Sequence, residues 1–263
     1  WLENIKNRDD KIEFYIPFVH SKYKCAIVFP EYLKNAASNL AVHTLYRILA
    51  PQFFTDIFSL DSLTGIRTGL KLQDFDFIFF TIDYEPNYVN AIQILLKTGI
   101  EPLASKRIRP IIIGGGAAIS SNPYPLRPYF DILAIGESEV IMPEIVEHFE
   151  NFDIDVFNEK IWAVTWEKRE AKRVYLSSLS ESQSASAFYY NRATFKMNLV
   201  EVSRSCPNRC RFCLLSYNSL PPRWLPTKRF EKLIVSFPDY HDLGLVGGSV
   251  LDHPEIEELI KLS

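Results

Sequence analysis

The stretches FDFIFFTI (residues 75–82) and PIIIGGG (residues 110–116) decide the fold. Each is a short apolar run with little polar alternation, which is typical of a strand buried on both faces of a sheet. Between them, residues 87–98 are predicted to form a helix that is closed by Gly99. A strand, a helix and a second strand in this order predict parallel pairing of the two strands.

The same alternation extends in both directions along the chain. The predicted strands are residues 24–29, 53–58 and 130–135, and the predicted helices are residues 39–49, with Ser38 as N-cap, and 139–150. Short connections between such elements predict an α/β fold, a doubly wound parallel sheet with helices on both faces. Ligands of these folds bind at the carboxyl ends of the strands. The candidate positions are therefore residues 30–32, 83–85, 114–116 and 136–139.

Length and composition place the chain among globular proteins. Its 263 residues are enough for about two domains, and 47% hydrophobic with 23% charged residues is ordinary for a soluble protein. The formal net charge of -3 gives no clear nucleic-acid signal. No apolar run approaches the ~20 residues that span a membrane, and residues 1–11 lack the apolar core of a signal peptide. We therefore expect a cytoplasmic protein with no membrane partner, and the first residue, Trp1, suggests that the sequence begins inside a longer product.

The alternation of strands and helices stops after residue 160. Residues 161–164 and 173–176 have the pattern of a hairpin, and the basic residues of its turn, including Arg173, are expected to be solvated. Residues 177–187 are rich in Ser and Ala, which is the composition of a surface linker. The main domain boundary is predicted there.

The last part of the chain again alternates strands and helices. Residues 198–203 and 243–246 are predicted strands, the second ending at Gly247 and Gly248, and a helix is predicted after each. These make two β/α units, whereas a closed β/α barrel usually needs ~200 residues or more. This part therefore has the pattern of the first, truncated part of a barrel.

Three of the four cysteines are clustered in the loop SRSCPNRCRFCLLS (residues 203–216), and Cys25 stands alone. A disulfide framework would spread its cysteines and need an oxidising compartment, so metal binding is favoured. Thiolates hold iron–sulfur clusters, and Cys206, Cys210 and Cys213 would leave one iron of a [4Fe-4S] cluster open. Structural zinc would need a fourth ligand, but the nearest histidine, His241, lies well downstream. Zinc binding and inert buried cysteines are the alternatives.

This spacing, with the aromatic Phe212 before the last cysteine, resembles the radical S-adenosylmethionine (SAM) superfamily. The context agrees, because the loop follows a predicted strand and the next predicted strand ends in VGGS (residues 246–249). The resemblance implies that the three cysteines ligate the cluster and that Phe212 belongs to the cofactor site. It also implies that Gly247 and Gly248 hold the methionine end of SAM, with Ser249 at a position where an acidic residue is common.

The resemblance implies a reaction as well. The open iron binds the amino and carboxylate groups of SAM, and one electron from the cluster cleaves the sulfonium bond. The resulting 5′-deoxyadenosyl radical abstracts a hydrogen atom from a substrate, while the protein positions the cofactors and excludes water. The implied partners are a small-molecule or unknown substrate and an electron donor such as flavodoxin or ferredoxin.

The sequence from about residue 23 onward is similar to cobalamin-binding radical SAM proteins, in a subgroup whose members mostly lack an assigned reaction. The segments that carry this similarity are SNLAVHTLY (38–46), FTIDYEPNYVNAIQIL (80–95), RPIIIGGGAAISSNPYPL (109–126), FDILAIGESE (130–139) and VGGSVLDHPEIEEL (246–259). The similarity implies the following cofactor-binding residues: Gly114, Gly115 and Gly116 at the nucleotide tail of cobalamin, Gly136 and Glu137 nearby, and Tyr84 and Glu85, next to Asp83, at the corrin face.

Two absences qualify this similarity. The chain lacks the D-x-H-x-x-G loop through which many cobalamin domains supply a histidine to cobalt, and His43 has the pattern of a structural residue. The cobalt would then have water, or nothing, below it. The G-x-G-x-x-G fingerprint of dinucleotide sites is also missing after the first strand, which argues against nicotinamide or flavin.

These observations predict four segments and one leading function. The segments are an N-terminal extension (residues 1–22), a cobalamin-binding Rossmann-like domain (23–152), a hairpin and linker (153–196) and the start of a radical SAM β/α barrel (197–263). The predicted function is a radical SAM enzyme that uses cobalamin for methyl transfer or another radical modification. A protein that senses cobalamin or redox state is the alternative. A methylthiotransferase is less favoured, because its second cluster needs three more cysteines and only Cys25 is present.

Overall fold

The computed structural model of the protein describes residues 10–238 and 241–263, so residues 1–9 of the predicted extension lie outside the described residues. The strands are β1 (Ile12–Phe14), β2 (Lys24–Phe29), β3 (Phe54–Ser59), β4 (Phe77–Thr81), β5 (Ile111–Gly115), β6 (Ile132–Ala134), β7 (Ala163–Val164), β8 (Phe188–Tyr190), β9 (Asn198–Arg204), β10 (Arg223–Trp224) and β11 (Leu243–Gly247). The α-helices are α1 (Leu33–Ala36), α2 (Leu40–Leu49), α3 (Asn87–Lys97), α4 (Ala117–Ser121), α5 (Ser138–Val146), α6 (Ile154–Asn158), α7 (Leu215–Asn218), α8 (Thr227–Ile234) and α9 (Ile256–Leu262).

The largest sheet has six strands in the order β3-β2-β4-β5-β6-β7. The first five are parallel, and β7 is antiparallel to its neighbour β6. Successive residues of β4 point to opposite faces: Phe77 and Phe79 pack with residues of α2 and α5, whereas Ile78 and Phe80 pack with residues of α3 and α4. The predicted α/β fold, with a mostly parallel sheet and helices on both faces, is confirmed.

Burial of β4 explains why its sequence is so apolar. All five of its side chains are buried, and each large apolar one stabilises the fold by about 1.5–3 kcal/mol relative to exposure. Phe77 also stacks on Phe149, which follows α5, with 3.9 Å between the ring centroids. The strand therefore anchors the helix layer on one face as well as the sheet.

Helix α2 is capped by a different residue from the one predicted. The Oδ1 atom of Asn39 accepts hydrogen bonds from the backbone N–H groups of Ala41 and Val42, at 2.9 and 3.3 Å. Ser38 instead donates its hydroxyl to the carbonyl of Lys34 and accepts from the N–H of Phe195. Adjacent Ser and Asn are both favoured N-caps, and the contact with Phe195, far along the chain, decides between them.

The predicted hairpin of residues 161–164 and 173–176 is wrong as a regular pair of strands. β7 pairs with β6 instead, and Val174 forms an isolated parallel bridge with Gly136 just beyond β6. Lys172, which precedes the second stretch, donates its backbone N–H to the carbonyl of Ile161 at 2.7 Å. Both stretches thus cover β6, which would otherwise be an edge strand with unpaired backbone groups.

The predicted surface linker, residues 177–187, is wrong for its second half, because the small residues from Ser182 to Ala187 are buried, whereas Ser177, Ser178 and Ser180 are exposed. Ser182, Ser184 and Ser186 are each less than 5% exposed. Ser186 donates its N–H to the carbonyl of Leu199, and its hydroxyl accepts from the N–H of Leu199, both at 2.8 Å. Small side chains let this segment pack closely against β9, and their hydroxyl groups satisfy backbone donors that the contact buries.

The second part of the chain forms a three-stranded sheet in the order β10-β9-β11. β11 is parallel to β9, as the two predicted β/α units require, whereas the short antiparallel strand β10 was not predicted. Three strands are too few to identify a barrel, so the barrel stays a prediction.

The four predicted segments stay a prediction as well, although two of them are in contact. β1, from the predicted extension, pairs antiparallel with β8, from the predicted linker region. Across residues 10–238 and 241–263, none of the helices combines the length and the apolar character that a membrane span requires.

Candidate functional site

The carboxyl ends of β9 and β11 lie side by side. Gly247 pairs with Ser203, and a Cβ atom built on Gly247 would stand 2.0 Å from Ser203 Oγ. A Cβ atom on Gly248 would stand 2.6 Å from the carbonyl oxygen of Ser205. Only glycine permits these approaches without displacing a neighbour. The structure therefore brings the two predicted SAM-binding glycines against the residues that lead into the cysteine loop.

The cysteine loop follows directly after β9. Cys206, Cys210 and Cys213 are all half-buried free thiols, and the N–H of Cys213 bonds the carbonyl of Cys210 at 2.9 Å. The backbone N–H of Ser216, followed by its hydroxyl, lowers the pKa of the Cys213 thiol. Phe212 projects into solvent and is 93% exposed. The loop thus offers three accessible sulfur donors, one of them biased toward the thiolate that metals bind.

The loop supplies the donor types of a three-cysteine iron–sulfur site. Within the described ranges, no three His, Cys, Asp or Glu residues lie close enough together to hold a metal ion, and this includes the three loop cysteines. Beside the loop, the hydroxyl of Ser205 is buried without a hydrogen-bond partner, and Gly247 and Gly248 leave backbone exposed. Three thiols, an unsatisfied hydroxyl and a glycine surface suit a cluster with one open iron and a polar ligand on it.

A cavity of about 460 Å³ lies between this loop region and the large sheet. Its volume is within the ~300–1,000 Å³ typical of small-molecule sites. Seven of the predicted cofactor-binding residues line it: Gly114, Gly115, Gly116, Gly136, Glu137, Gly247 and Gly248. Tyr84, Glu85, Phe212, Ser249 and the three cysteines are outside its lining. The carboxyl ends of β4, β5, β6, β9 and β11 all face this space, as expected for a parallel sheet.

The three consecutive glycines of this cavity do not have the same role. A Cβ atom on Gly114 would meet the Phe130 ring at 2.7 Å, and Gly116 has φ of +112° with its Cα against the carbonyl of Ile82. Packing within the protein therefore explains why positions 114 and 116 are occupied by glycine. A Cβ atom on Gly115 would find nothing nearer than 4.0 Å. Gly115 is the glycine whose missing side chain leaves room for a ligand.

Polar groups at the end of β4 border the same cavity. Asp83 accepts a hydrogen bond from the Asn39 side-chain amide, and burial raises the pKa of its carboxyl group. The hydroxyl of Thr81 is buried and has no hydrogen-bond partner in the described chain. A buried unpaired hydroxyl is unfavourable, so Thr81 is a natural contact for a polar atom of a ligand.

His43 is a structural residue, as its sequence pattern predicted. The backbone N–H of Ala187 donates to its Nδ1 atom at 3.1 Å, so Nε2 carries the proton and donates to the carbonyl of Ala37, also at 3.1 Å. Burial lowers the pKa of His43 from 6.5 to about 4. Both nitrogens are occupied, and neither is available to a metal.

Sequence reasoning missed a buried ion network at the edge of the cavity. Glu137 accepts hydrogen bonds from Arg173, Arg204 and Arg223, and the N–H of Leu176 also bonds its carboxylate. Burial by itself raises the pKa of Glu137, but the hydrogen bonds from Arg223 and the nearby positive charges bring it below its usual value.

The network extends beyond Glu137. Arg204 contacts Glu139 at 2.9 Å and Glu201 at 2.6 Å. Arg173, predicted to be a solvated turn residue, is 22% exposed and bound to Glu137, so that prediction is wrong. Partners such as Glu137 and Arg223 are 86 positions apart, and no local pattern could have paired them.

Comparison with known proteins agrees with the class that the cysteine loop resembles. The family described as radical SAM proteins, N-terminal, matches residues 58–176, from the end of β3 to the segment beside Gly136. The matched stretch stops short of the cysteine loop. The match supports a relation to radical SAM proteins, a class whose general cofactors are a [4Fe-4S] cluster and SAM.

A relative is found in Methanocaldococcus jannaschii, in which it is an uncharacterized protein. The two are 29% identical over 244 residues, which is 89% of this chain and 51% of the relative. The chain thus spans about half the length of the curated relative that it matches.

Proposed function

We propose that the chain is part of a radical SAM enzyme in which Cys206, Cys210 and Cys213 hold a [4Fe-4S] cluster. The observation that carries this proposal is the contact of Gly247 and Gly248 with residues 203–205, the residues that lead directly into the cysteine loop. SAM would lie on that surface and against the open iron, and an unknown substrate would face the cavity.

The cluster and SAM, when bound, would supply one-electron reduction and abstraction of a hydrogen atom from the substrate. The residues of this chain bind and orient. The backbone at Gly247 and Gly248 offers hydrogen-bonding groups to the methionine end of SAM, and the buried Ser205 hydroxyl is available to a polar ligand atom. The apolar cavity wall, which includes Phe79, Ile113 and Ile141, excludes water from the space in front of them. A flavodoxin- or ferredoxin-type donor in the cytoplasm is part of the same proposal.

Cobalamin, with methyl transfer as the reaction, is a separable second part of the proposal. The cavity lies at the carboxyl ends of β4, β5 and β6, where ligands of such sheets bind, and Gly115 opens into it. A whole corrinoid exceeds about 460 Å³, so the cavity suits its nucleotide tail while the ring lies outside. No histidine among the described residues lines the cavity, and both ring nitrogens of His43 are hydrogen-bonded, so neither the cavity wall nor His43 supplies an imidazole to the cobalt. No catalytic step is assigned to cobalamin.

Anaerobic reconstitution with iron, sulfide and hydroxocobalamin tests both parts. We expect about four irons per chain and a further change of the reduced cluster's EPR spectrum on addition of SAM. Joint replacement of Cys206, Cys210 and Cys213 by Ala should abolish iron binding. Cys25→Ala is the matched control and should leave the iron content unchanged, because Cys25 is buried in β2.

The outcomes separate the two parts. Zinc in place of iron, or iron that survives the triple replacement, would overturn the cluster assignment. Iron with no corrin spectrum in the desalted protein would keep the radical SAM proposal and remove cobalamin and methyl transfer. A corrin spectrum that Gly115→Phe abolishes, with iron retained, would support the cavity as the site of the nucleotide tail.

A further inference from the structure

The cysteine loop is closed at its base by two arginines. Arg204, the last residue of β9, and Arg223, the first of β10, are opposite each other in the antiparallel pairing of the two strands. Residues 205–222 run out from this pair and return to it, with the three cysteines between. The base of the loop is therefore a strand pairing of only two residues, and such a short pairing does little by itself to fix the position of the loop.

One carboxylate from the large sheet's side of the molecule binds both arginines. Glu137 Oε2 accepts from Arg204 Nη1 at 2.7 Å and from Arg223 Nη1 at 2.9 Å, and Oε1 accepts from Arg223 Nη2 at 2.7 Å. The Arg223 contact is bidentate, the geometry that orients a guanidinium best. The Glu137 and Arg223 side chains are 9% and 5% exposed, so solvent screens these contacts little.

The backbone of Glu137 is also fixed by contacts with Val174. Its backbone N–H donates to the carbonyl of Val174 at 3.0 Å. The preceding Gly136, with φ of +144°, packs its Cα against that same carbonyl. Glu137 stands at the N-cap of α5, yet its side chain makes no capping bond and reaches the arginines instead. Gly136, Glu137 and Ser138 line the cavity, so the residue that grips the loop also borders the ligand space.

We infer that Glu137 is a positioning residue that holds both ends of residues 205–222 and so fixes the cysteine loop relative to the cavity. Glu139 and Glu201 also bind Arg204, but neither bonds Arg223, so neither joins the two ends. Only the identity of the group that the loop holds depends on the proposed function. The contacts of Glu137 with Arg204 and Arg223 are present in the protein without any cofactor.

Hydrogen–deuterium exchange of the cluster-free protein tests this role. In Glu137→Gln we expect amides of residues 205–222 to exchange roughly tenfold faster or more, because the loop base opens locally. Exchange in β2 and β4 should be unchanged. Glu139→Gln is the matched control, since it removes a carboxylate from Arg204 and leaves Glu137 on both arginines; its loop should exchange as in the wild type.

A second readout uses the reconstituted protein. Glu137→Gln should lower the iron bound per chain and broaden the EPR spectrum of the reduced cluster, while Glu139→Gln matches the wild type. If Glu137→Gln does not fold, Glu137→Asp keeps the charge, cannot span both arginines, and should show the same local increase in exchange. Equal exchange of residues 205–222 in wild type and folded Glu137 variants, or an equal increase in Glu139→Gln, would overturn the inference. A wild type that binds no iron would defeat the proposed function, and the exchange comparison would still decide the role of Glu137.

Discussion

Gly247 lies so close to Ser203 that no side chain fits between them: a Cβ atom on Gly247 would be 2.0 Å from Ser203 Oγ and 2.9 Å from the Ser203 carbonyl oxygen. The two residues face each other across β9 and β11, where the register shifts between Val246 and Gly247. The hydroxyl of Ser203 can rotate away from an added atom, but the carbonyl cannot. The contact therefore fixes the distance between the glycine surface and the strand that enters the cysteine loop.

Gly247→Ala is expected to force these strands apart. Overpacking of this kind lowers the free energy of unfolding by about 1–3 kcal/mol, and urea denaturation followed by circular dichroism would measure it. Gly115→Ala is the control, because the nearest heavy atom to its Cβ atom would be 4.0 Å away and its stability should change by less than about 1 kcal/mol. Equal losses in the two variants would show that the contact with Ser203 is not the cause of the loss.

The stability of the protein should depend on pH through His43. Its pKa is about 4 in the folded protein against 6.5 when exposed, because burial disfavours the charged ring. The unfolded chain therefore binds the extra proton first. The stability that neutral His43 provides is complete above pH 6.5 and is lost progressively as the pH falls toward 4. The free energy of unfolding of the wild type should drop by about 2 kcal/mol more between pH 7 and pH 5 than that of His43→Gln. Parallel pH profiles for the two proteins would contradict this assignment.

The cap of α2 provides a test of a choice that the sequence left open. Asn39→Ala removes the acceptor of two N–H groups and also the donor to Asp83, and should lower the free energy of unfolding by about 1–2 kcal/mol. Ser38→Ala removes no helix cap, and a smaller loss, about 0.5–1 kcal/mol, is expected from its two other hydrogen bonds. Chemical denaturation of the two variants should rank them in this order, and the reverse order would assign the cap to Ser38.

The four cysteines should differ in their reaction with iodoacetamide. In the metal-free protein, the half-buried Cys206, Cys210 and Cys213 are expected to be alkylated within the first hour, whereas Cys25, fully buried and with a raised pKa, reacts only on unfolding. Peptide mass spectrometry separates these sites. Reconstitution with iron and sulfide should protect the loop cysteines alone. Early labelling of Cys25 would show that β2 opens in the native protein.

Local patterns were enough to predict the large sheet. The apolar runs that became β2, β4 and β5 are buried on both faces, so burial left an unambiguous mark on their composition. The cysteine spacing and the glycines at residues 247–248 likewise lie in short segments, and the parallel pairing of β9 with β11 brings them together. A functional motif whose residues lie close together in the sequence can therefore be recognised before the fold is known.

Contacts between distant segments could not be predicted, because they leave no pattern in the local sequence. Arg173 has the sequence context of a solvated turn residue, and no local pattern marks Arg223, yet the fold turns both toward Glu137. Ser184 and Ser186 have the composition of a linker, yet they lie buried along β9. The antiparallel strand β7 is two residues long, which is too short for a period of two to be recognised. In each case the deciding partner is far away in the sequence.

The bonds around residues 184–187 have a consequence for how the molecule unfolds. Ala187 donates to His43, the carbonyl of Ser186 accepts from Arg47, and Ala185 bridges to Val200 in β9. A stretch that resembles a tether is thus joined to helix α2 on one side and to the second sheet on the other. Unfolding of the part that contains α2, or of the part that contains β9, would break hydrogen bonds of the other part. The two parts are therefore coupled, and we expect thermal unfolding in a single cooperative transition.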